Sequence, residues 1–240
     1  MVLLIDIGNS AVKWIITPQD KFYPLVFQSI HLGKLNEIIT NLKQLKDKYN
    51  FKKVIVSSVK PSLNTVLKNI FPEARFPTVN DLQNFIKIDY KSPKTLGIDR
   101  LFNAIGGLHY DKSFVIVSIG SATVVDLVID KTFIGGVIFL GIENHINCLS
   151  VKTELLPKIK IENIPPSIGR TTTEAISSGV FWSHLYAIKG FINNFQQNYG
   201  VNRIILTGGL AFLFRKFFKT KIILDPYLTF RGIYKVAKVL

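Results

Sequence analysis

The feature that most constrains the fold is an internal repeat near the start and in the middle of the chain. The stretch VLLIDIGNSAVKWII begins at Val2, and VIVSIGSATVVDLVI begins at Val115. Each copy is an apolar run that ends in Ile-Gly, followed by small residues and a second apolar run. This pattern is typical of a β-hairpin with a glycine turn. Its return predicts a duplicated structural unit.

The apolar spacing predicts the same order of elements around each copy. In the first half we expect strands over residues 2–7, 11–17 and 22–30, a helix over 35–49, a strand over 53–59 and a helix over 61–71. A connection over 72–94 and a helix over 97–109 follow. In the second half we expect strands over 114–119, 123–129 and 132–139, helices over 141–155 and 171–199, a strand over 203–207, a helix over 209–219, a strand over 221–224 and a helix over 230–240. The sequence therefore predicts an α/β protein of two βββαβα units, residues 1–110 and 111–240, with a cleft between them.

Composition excludes several other classes of protein. An apolar fraction of 48% with 19% charged residues excludes a disordered chain. No apolar run approaches the ~20 residues of a membrane span, so no membrane is expected as a partner. A single cysteine, Cys148, excludes an intramolecular disulfide and a cysteine-rich zinc site. Together with an amino-terminal segment that does not resemble a signal peptide, this favours a cytoplasmic protein.

The charge is strongly basic, with a formal net charge of +14. Such a balance suits nucleic acid, an anionic surface or a phosphorylated ligand. The lysines and arginines are scattered along the chain, however, and are not interleaved with exposed aromatic residues. We therefore do not expect nucleic acid to be a partner.

The first glycine turn, Asp6-Ile7-Gly8-Asn9-Ser10, places a carboxylate at the end of a buried strand. Without a Cβ atom at the glycine, a phosphate can approach the main chain, and successive N–H groups form an anion-binding concavity. The Asn and Ser side chains can donate to phosphate oxygens, and Lys13 follows on the returning strand. The Asp can hold the Mg²⁺ that a nucleotide brings. A plain hairpin with a polar turn is the alternative interpretation.

Two further glycine turns repeat this design. Residues 118–123, Ser-Ile-Gly-Ser-Ala-Thr, form the second turn without an acid, and residues 206–211 contain the pair Gly208 and Gly209 between a strand and a helix. A glycine pair there lets a base or ribose lie against the helix start. Each alone is equally consistent with a tight turn, whereas three in a duplicated chain favour a nucleotide site.

Two predicted helices begin with charged residues. Gly97-Ile98-Asp99-Arg100 opens one of them, and an acid in a first turn is commonly an ordinary helix-dipole interaction. The functional alternative is a carboxylate that accepts a hydroxyl proton, with the Arg beside it as an anion clamp. The stretch from Thr171 to Glu174 fits a capping box, which favours a structural role there.

The order of these motifs resembles the type III pantothenate kinase family. The stretches that match are Asp6-Ile-Gly-Asn-Ser with Lys13, Ser57-Ser-Val-Lys-Pro61, Gly97-Ile-Asp-Arg100, Gly120-Ser-Ala-Thr123, Gly135-Gly136, Gly169-Arg-Thr-Thr172 and Thr207-Gly-Gly209. The resemblance implies the acetate kinase/Hsp70/actin-like fold, with two ribonuclease H-like halves around a nucleotide cleft. It also implies ATP-dependent phosphorylation of pantothenate to 4'-phosphopantothenate, the first step of coenzyme A biosynthesis.

The resemblance also implies roles for individual residues. Those expected at ATP are Asp6, Ile7, Gly8, Asn9, Ser10, Lys13, Gly120, Ser121 and Gly208, and those expected at pantothenate are Tyr90, Gly97, Ile98, Asp99, Arg100 and Thr172. Asp99 would take the proton from the primary alcohol, and Asp6 would lie near Mg²⁺. Positioning and charge neutralisation are the main demands of phosphoryl transfer.

Three positions depart from the family pattern. Ser118 stands where the family usually has an Asp associated with a monovalent cation, K⁺ or NH₄⁺. We expect Asp126 to lie roughly opposite Ser118 on the hairpin and to compensate as a metal ligand. Leu140 replaces a usual Pro, and Leu210 replaces a usual Asp after the third glycine turn.

The predicted helix over 171–199 is apolar around more than one face, as a buried helix or a subunit interface requires. The family forms dimers, so the resemblance implies a homodimer. Two other functions stay open from the sequence. The departures and the basic charge fit a catalytically weakened relative acting as a regulatory or nucleic-acid-associated accessory factor. A different kinase of the same fold, such as a sugar kinase, is the other.

Overall fold

In the computed structural model, which describes residues 1–218 and 222–240, the chain divides into two compact units. The first unit comprises Met1–Tyr110, Lys131–Phe133 and Tyr227–Leu240, and the second comprises Asp111–Asp130 and Ile134–Pro226.

The described elements follow one another in this order. The strands are β1 Val2–Ile7, β2 Ala11–Thr17, β3 Val26–His31, β4 Lys53–Ser58, β5 Lys87–Ile88, β6 Phe114–Ile119, β7 Ala122–Ile129, β8 Thr132–Leu140, β9 Ile204–Thr207 and β10 Ile222–Leu224. The α-helices are α1 Leu35–Lys48, α2 Pro61–Ile70, α3 Val79–Leu82, α4 Ile98–Gly107, α5 Ile142–Lys152, α6 Thr172–Tyr199, α7 Ala211–Phe214 and α8 Leu228–Ala237. Short 3-10 helices cover Leu32–Lys34, Pro93–Thr95 and Arg215–Phe217.

The first unit is built on a four-stranded sheet in the order β3-β2-β1-β4. β1 pairs antiparallel with β2 and parallel with β4. Because side chains alternate along a strand, the sheet has two distinct faces. Leu3, Ile5 and Ile7 lie on one face, in a core cluster with α1 and α2. The positions between them on β1, which include Leu4 and Asp6, point to the opposite face.

Helices α4 and α8 of the first unit cross at two glycines. A Cβ atom at Gly106 would overlap the carbonyl oxygen of Leu228, and one at Gly232 would overlap the carbonyl oxygen of Phe102. The carbonyl of Ala237, at the end of α8, accepts a 2.7 Å hydrogen bond from Nζ of Lys53 on β4. A cation is favourable at that end of a helix dipole, and the bond joins α8 to the sheet.

The second unit repeats the topology of the first. Its strands follow the order β10-β9-β6-β7-β8, in which β6 pairs antiparallel with β7 and parallel with β9. A meander of three strands therefore lies beside a parallel fourth strand in both units, which confirms the duplication that the repeat predicts. The core of the second unit includes Phe181 and Leu185 of α6, and the Phe181 ring stacks on Phe214 at 4.7 Å.

Some expected boundaries differ from the structure. The division after Tyr110 is present, but Lys131–Phe133 and Tyr227–Leu240 group with the first unit. They do so because β5 pairs with the start of β8, and because α8 packs on α4. The connection over 72–94 contains α3 and β5, and the helix expected over 209–219 is only a short α7 and a 3-10 turn. Lys219 and Lys221, at two expected boundaries, lie outside the described residues.

None of the helices within residues 1–218 and 222–240 combines the length and the apolar character needed to cross a membrane.

The glycine crossing generates a test of stability. We expect Gly106→Ala and Gly232→Ala each to lower the free energy of unfolding by about 1–3 kcal/mol or more, because backbone would have to move. Gly190→Ala on α6 is the matched control, since a Cβ atom there meets nothing within 4 Å. It should be stabilising by about 0.5–1 kcal/mol. Urea unfolding measures all three variants, and equal effects at the three positions would contradict the close crossing.

Candidate active site

Strand register gathers three polar side chains of the first unit. Asp6 on β1 lies opposite Lys13 on β2 and opposite Ser57 on β4. Since Val12, Trp14, Val54 and Val56 belong to the core cluster under α1 and α2, Lys13 and Ser57 point to the other face, as Asp6 does. Alternation alone could not place Lys13, but the strand pairing puts it beside the carboxylate.

Asp99 joins this group from the first turn of α4. Gly97 precedes it as the helix N-cap, and a Cβ atom at that position would lie 2.6 Å from Oδ1 of Asp99. Burial raises the pKa of Asp99, whereas the Arg100 N–H and guanidinium and the Lys13 ammonium lower it. The effect of burial is the larger, so the two cations only partly stabilise the ionised form of Asp99.

The pKa of Asp6 is raised to about 6. Burial is the main cause, and the negative charge of Asp99 adds to it, which shows that the two carboxylates are close enough to interact. The charge of Lys13 opposes the rise, as does the Ser57 hydroxyl. That hydroxyl is a weak partner, because its oxygen is buried without a hydrogen bond of good geometry among the described residues.

The first glycine turn is partly closed by its own hydrogen bonds. The Gly8 N–H donates to the Ala11 carbonyl at 3.0 Å, and the Leu32 N–H donates to the Ser10 carbonyl at 2.9 Å. The Gly8 N–H is therefore occupied by the hairpin, which differs from the expected row of phosphate-binding N–H groups. Asn9 is exposed and Ser10 is half-buried at the tip.

Arg100 follows Asp99 and is buried, with 6% of its surface exposed. Its guanidinium carbon lies 5.3 Å from the ring centroid of Phe133 and 5.9 Å from that of Tyr90. Both distances are within the range of cation–π attraction. The expected pantothenate residues Tyr90, Gly97, Ile98, Asp99 and Arg100 thus all belong to the first unit.

The second and third glycine turns meet within the second unit. A Cβ atom at Gly208, which has φ +96°, would overlap the carbonyl oxygen of Ile119, just before Gly120. A Cβ atom at Gly141 would overlap the Gly120 carbonyl oxygen, and the Asn144 amide donates to the Ser121 carbonyl at 2.7 Å. The backbone therefore packs tightly around Gly120 and Ser121. Leu210 is half-buried, and its N–H donates to the Ile119 carbonyl at 3.5 Å.

The expected position of Asp126 opposite Ser118 is wrong. Ser118 pairs with Val124, and Asp126 pairs with Ile116, so the two residues are diagonal neighbours on one face of the hairpin. The turn between β6 and β7 is tighter than expected. The register therefore shifts, so that Val124 and not Asp126 lies opposite Ser118. Asp126 is buried, and a Cβ atom at Gly136 would lie 2.6 Å from its Oδ1. Gly136 therefore leaves room for this carboxylate.

Thr172, the remaining expected pantothenate residue, lies exposed at the start of α6 in the second unit. The helix is capped by Thr171, whose hydroxyl accepts from the Glu174 N–H at 3.1 Å. The Glu174 carboxylate accepts from the Arg170 N–H at 2.7 Å, one residue before the cap. The predicted capping interaction is confirmed in this modified form.

The first unit offers too few ligands to hold a magnesium ion alone, but enough to hold one that is also bound to a nucleotide. In the part of the chain that the structure describes, no cluster of three or more His, Cys, Asp or Glu side chains could hold a metal ion. Asp6 and Asp99 nevertheless provide carboxylate oxygens, and burial without a full counter-charge disfavours the ionised form of Asp6. Mg²⁺ is commonly held by one or two carboxylates together with phosphate oxygens and water. The donor set therefore fits Mg²⁺ brought by ATP.

Three features of these sites were not assigned from the sequence. Ser57 lies within a quoted motif, but only the register of β4 places it beside Asp6. Phe133 contacts Arg100 through pairing between β5 and β8, for which the sequence has no local signal. The sequence likewise has no local feature that predicts the hydrogen bond from Asn144 to the Ser121 carbonyl. Gly141, a glycine between a predicted strand and a predicted helix, is the sequence feature that could have indicated the close packing against Gly120.

Comparison with solved structures defines the class of fold. A protein of Campylobacter jejuni assigned to the Baf family of transcriptional activators has a TM-score of 0.67 at 24% identity, over 99% of this chain and 98% of its own. The activator of 2-hydroxyisocaproyl-CoA dehydratase from Clostridium difficile, solved with bound ADPNP, has a TM-score of 0.53 at 13% identity, over 99% and 93%. The duplicated α/β fold is that of the actin-like ATPases and sugar kinases.

Sequence comparison identifies the family within this class. A profile described as type III pantothenate kinase matches residues 2–194. A type III pantothenate kinase of Persephonella marina is 32% identical over 249 aligned positions, which cover 98% of each chain. The chain belongs to the type III pantothenate kinase family. The comparisons give no support to the alternative of a catalytically weakened accessory factor.

The raised pKa of Asp6 predicts a pH-dependent effect of Asp6→Asn on the protein without nucleotide or metal. The stability that comes from a neutral Asp6 is fully present below pH 3.8 and is lost as the pH rises through 6. The variant should therefore match wild type near pH 4 and exceed its free energy of unfolding by about 1–3 kcal/mol at pH 7.5.

Urea unfolding at the two pH values measures this difference, with Asp47→Asn on the exposed side of α1 as the control. A stability difference that is the same at both pH values would show that Asp6 does not change protonation on folding.

Proposed function

We propose that this protein transfers the γ-phosphoryl group of ATP to the primary alcohol of pantothenate, producing 4'-phosphopantothenate in the first step of coenzyme A biosynthesis. Family membership supports the substrates and the reaction. The observation within the chain that best supports catalysis is the electrostatic interaction of Asp6 with Asp99, together with the pairing of Asp6 with Lys13. Phosphoryl transfer requires such groups for positioning and charge balance.

Asp99 is the proposed general base. A carboxylate with a raised pKa is a better proton acceptor than an exposed aspartate, because the acceptor strength rises with pKa. Its place in the first turn of α4 orients the carboxylate, and the Arg100 N–H stabilises the ionised form before the proton arrives. The hydroxyl oxygen of pantothenate, losing its proton to Asp99, attacks the γ-phosphorus atom, and ADP leaves.

Asp6, Lys13 and the first turn are proposed to hold the phosphates. Bound with ATP, Mg²⁺ would be held by Asp6 and would neutralise phosphate charge. Lys13 supplies a second positive charge beside it. Ile7 and Gly8 form the end of the strand and the turn, while Asn9 and Ser10 provide donors at the tip. In the second unit, Gly120, Ser121 and Gly208 are proposed to contact the nucleotide, since Gly120 is exposed and Ser121 and Gly208 are half-buried.

Tyr90, Gly97, Ile98, Arg100 and Thr172 are proposed to bind pantothenate. Arg100 offers a planar set of N–H donors for the oxygens of the substrate. Gly97 leaves space for the carboxylate of Asp99 next to it. Thr172 presents an exposed hydroxyl at the start of α6.

A monovalent cation, K⁺ or NH₄⁺, is proposed at Ser118 and Asp126. Their diagonal placement on one face of the hairpin lets one ion contact a hydroxyl and a carboxylate, although the two are not directly opposite. The carboxylate of Asp126 would supply the charge that Ser118 lacks.

A homodimer, in the cytoplasm, is the proposed assembly. Tyr186 on α6 is 64% exposed and lies beside Trp182, with ring centroids 6.1 Å apart. Exposed aromatic residues on a long helix are typical of subunit interfaces. We do not propose a nucleic-acid or membrane partner.

The central test is ADP release with pantothenate, Mg²⁺ and K⁺ or NH₄⁺. Asp99→Asn should lower kcat by roughly 10²–10⁴-fold, because the base is lost. Asp47→Asn, the same substitution on an exposed helix face, should leave kcat unchanged. In wild type, the loss of rate on acidification should begin at a higher pH than for an ordinary aspartate, since the pKa of Asp99 is raised.

Unchanged turnover in Asp99→Asn would exclude Asp99 as the base. Turnover of a sugar without turnover of pantothenate would contradict the proposed substrate.

The cation site has its own test. Asp126→Asn should raise the K⁺ concentration needed for half-maximal activity by about tenfold or more, because the ligand charge is removed. The measurement is the rate of ADP release across a KCl series at constant ionic strength. If the variant retains the K⁺ dependence of wild type, the cation does not bind at Asp126.

A further inference from the structure

Two aromatic rings surround one side of the Arg100 guanidinium. The Tyr90 and Phe133 ring centroids are 6.2 Å apart, and the guanidinium carbon is 5.9 Å from one and 5.3 Å from the other. The charged group and the two rings thus form a nearly equilateral triangle. Phe133 is fully buried, and Arg100 is nearly so. A buried cation requires partners, and ring faces carry the negative potential that attracts it.

Long-range strand pairing holds the two rings together. Ile88 on β5 pairs with Phe133 on β8 in parallel register. The Asp89 N–H donates to the Phe133 carbonyl at 2.9 Å, and the Lys87 N–H donates to the Lys131 carbonyl at 3.0 Å. Tyr90 therefore follows directly after a segment that is bonded to the residues around Phe133. The main-chain bonds therefore hold the two backbone segments that carry the rings next to each other.

The turn before β8 has an unusual backbone. Asp130 has φ 45° and Lys131 has φ 60°, in the left-handed region that favours glycine. Two consecutive residues with such angles form the tight hairpin turn that matches the twist of the strands. Residues other than glycine persist there when the surroundings determine the conformation. The bond from Lys87 to the Lys131 carbonyl is one such determinant.

We propose that Phe133 is a positioning residue, which together with Tyr90 orients the guanidinium of Arg100 for substrate binding. The inference rests on the proposed function, in which Arg100 binds pantothenate. Free in solution, an arginine side chain samples many rotamers, and ordering it on binding weakens affinity. Contact with the two rings restricts those rotamers before the substrate binds.

The substitution Phe133→Leu separates this role from simple core packing. It would keep an apolar group in the core but would remove the ring face. Phe71→Leu is the matched control, because Phe71 is also fully buried in the first unit and packs against Phe51. Both variants should lose similar stability. Phe133→Tyr and Phe133→Trp would each retain a ring face.

The kinetic test compares these variants in the phosphorylation of pantothenate. Phe133→Leu should raise the KM for pantothenate by roughly five- to tenfold, with kcat and the KM for ATP near wild type. Phe71→Leu should leave all three near wild type, and Phe133→Trp or Phe133→Tyr should restore much of the affinity. An equal rise in KM in the Phe71→Leu control would overturn the proposal.

A double-mutant cycle shows whether Phe133 acts through Arg100. In an Arg100→Met background, Phe133→Leu should cause no further rise in the KM for pantothenate, because the group that it positions is absent. Independent, multiplicative effects of the two substitutions would show that Phe133 acts by another route and would overturn the proposal.

A measurement without turnover keeps this inference distinct from the proposed function. In the NMR spectrum of the substrate-free protein, the Arg100 Nε–H signal, assigned by its loss in Arg100→Met, should be shifted by the ring currents. Phe133→Leu should reduce that shift. A shifted signal in a protein that does not phosphorylate pantothenate would contradict the proposed function and support the aromatic contact. An unshifted wild-type signal would overturn the contact.

Discussion

The crossing of α4 and α8 is the constraint on which the site of the first unit depends. Asp99 and Arg100 occupy the first turn of α4, so the position of that helix decides where their side chains lie relative to Asp6. Backbone contact at Gly106 and Gly232 brings the helices together without intervening side chains. Interiors packed this closely have little freedom to slide, which gives the carboxylates a defined separation.

The electrostatic arrangement around Asp6 is unfavourable in the protein alone and would favour the binding of a cation. Two carboxylates interact, and burial raises the pKa of both. Lys13 reduces the repulsion without removing it. A site that binds a metal–nucleotide complex benefits from this imbalance, because the incoming positive charge is stabilised where the carboxylates are poorly compensated. In the proposed function, stability at this site is exchanged for binding, as is common at functional sites.

Much of the fold could be predicted, whereas the site could be predicted only in outline. The repeat at Val2 and Val115 predicts the two meanders, and both are present in the expected order. The motifs around Asp6 and Asp99 point to the residues that the structure brings together. The position of Asp126 was wrong, because hairpin register depends on the length of the turn, and a small change in the turn moves every pair.

The sequence by itself determined the strands, the glycine turns, and the positions of Asp6 and Asp99 next to glycine-containing turns. Each of these features depends only on residues that are close together along the chain. Only the tertiary structure decided that Ser57 lies beside Asp6, that α8 belongs with the first unit, and that Phe133 contacts Arg100. The reason is physical: these contacts join residues far apart in the chain, and their geometry follows from strand pairing and helix packing, which local periodicity does not encode.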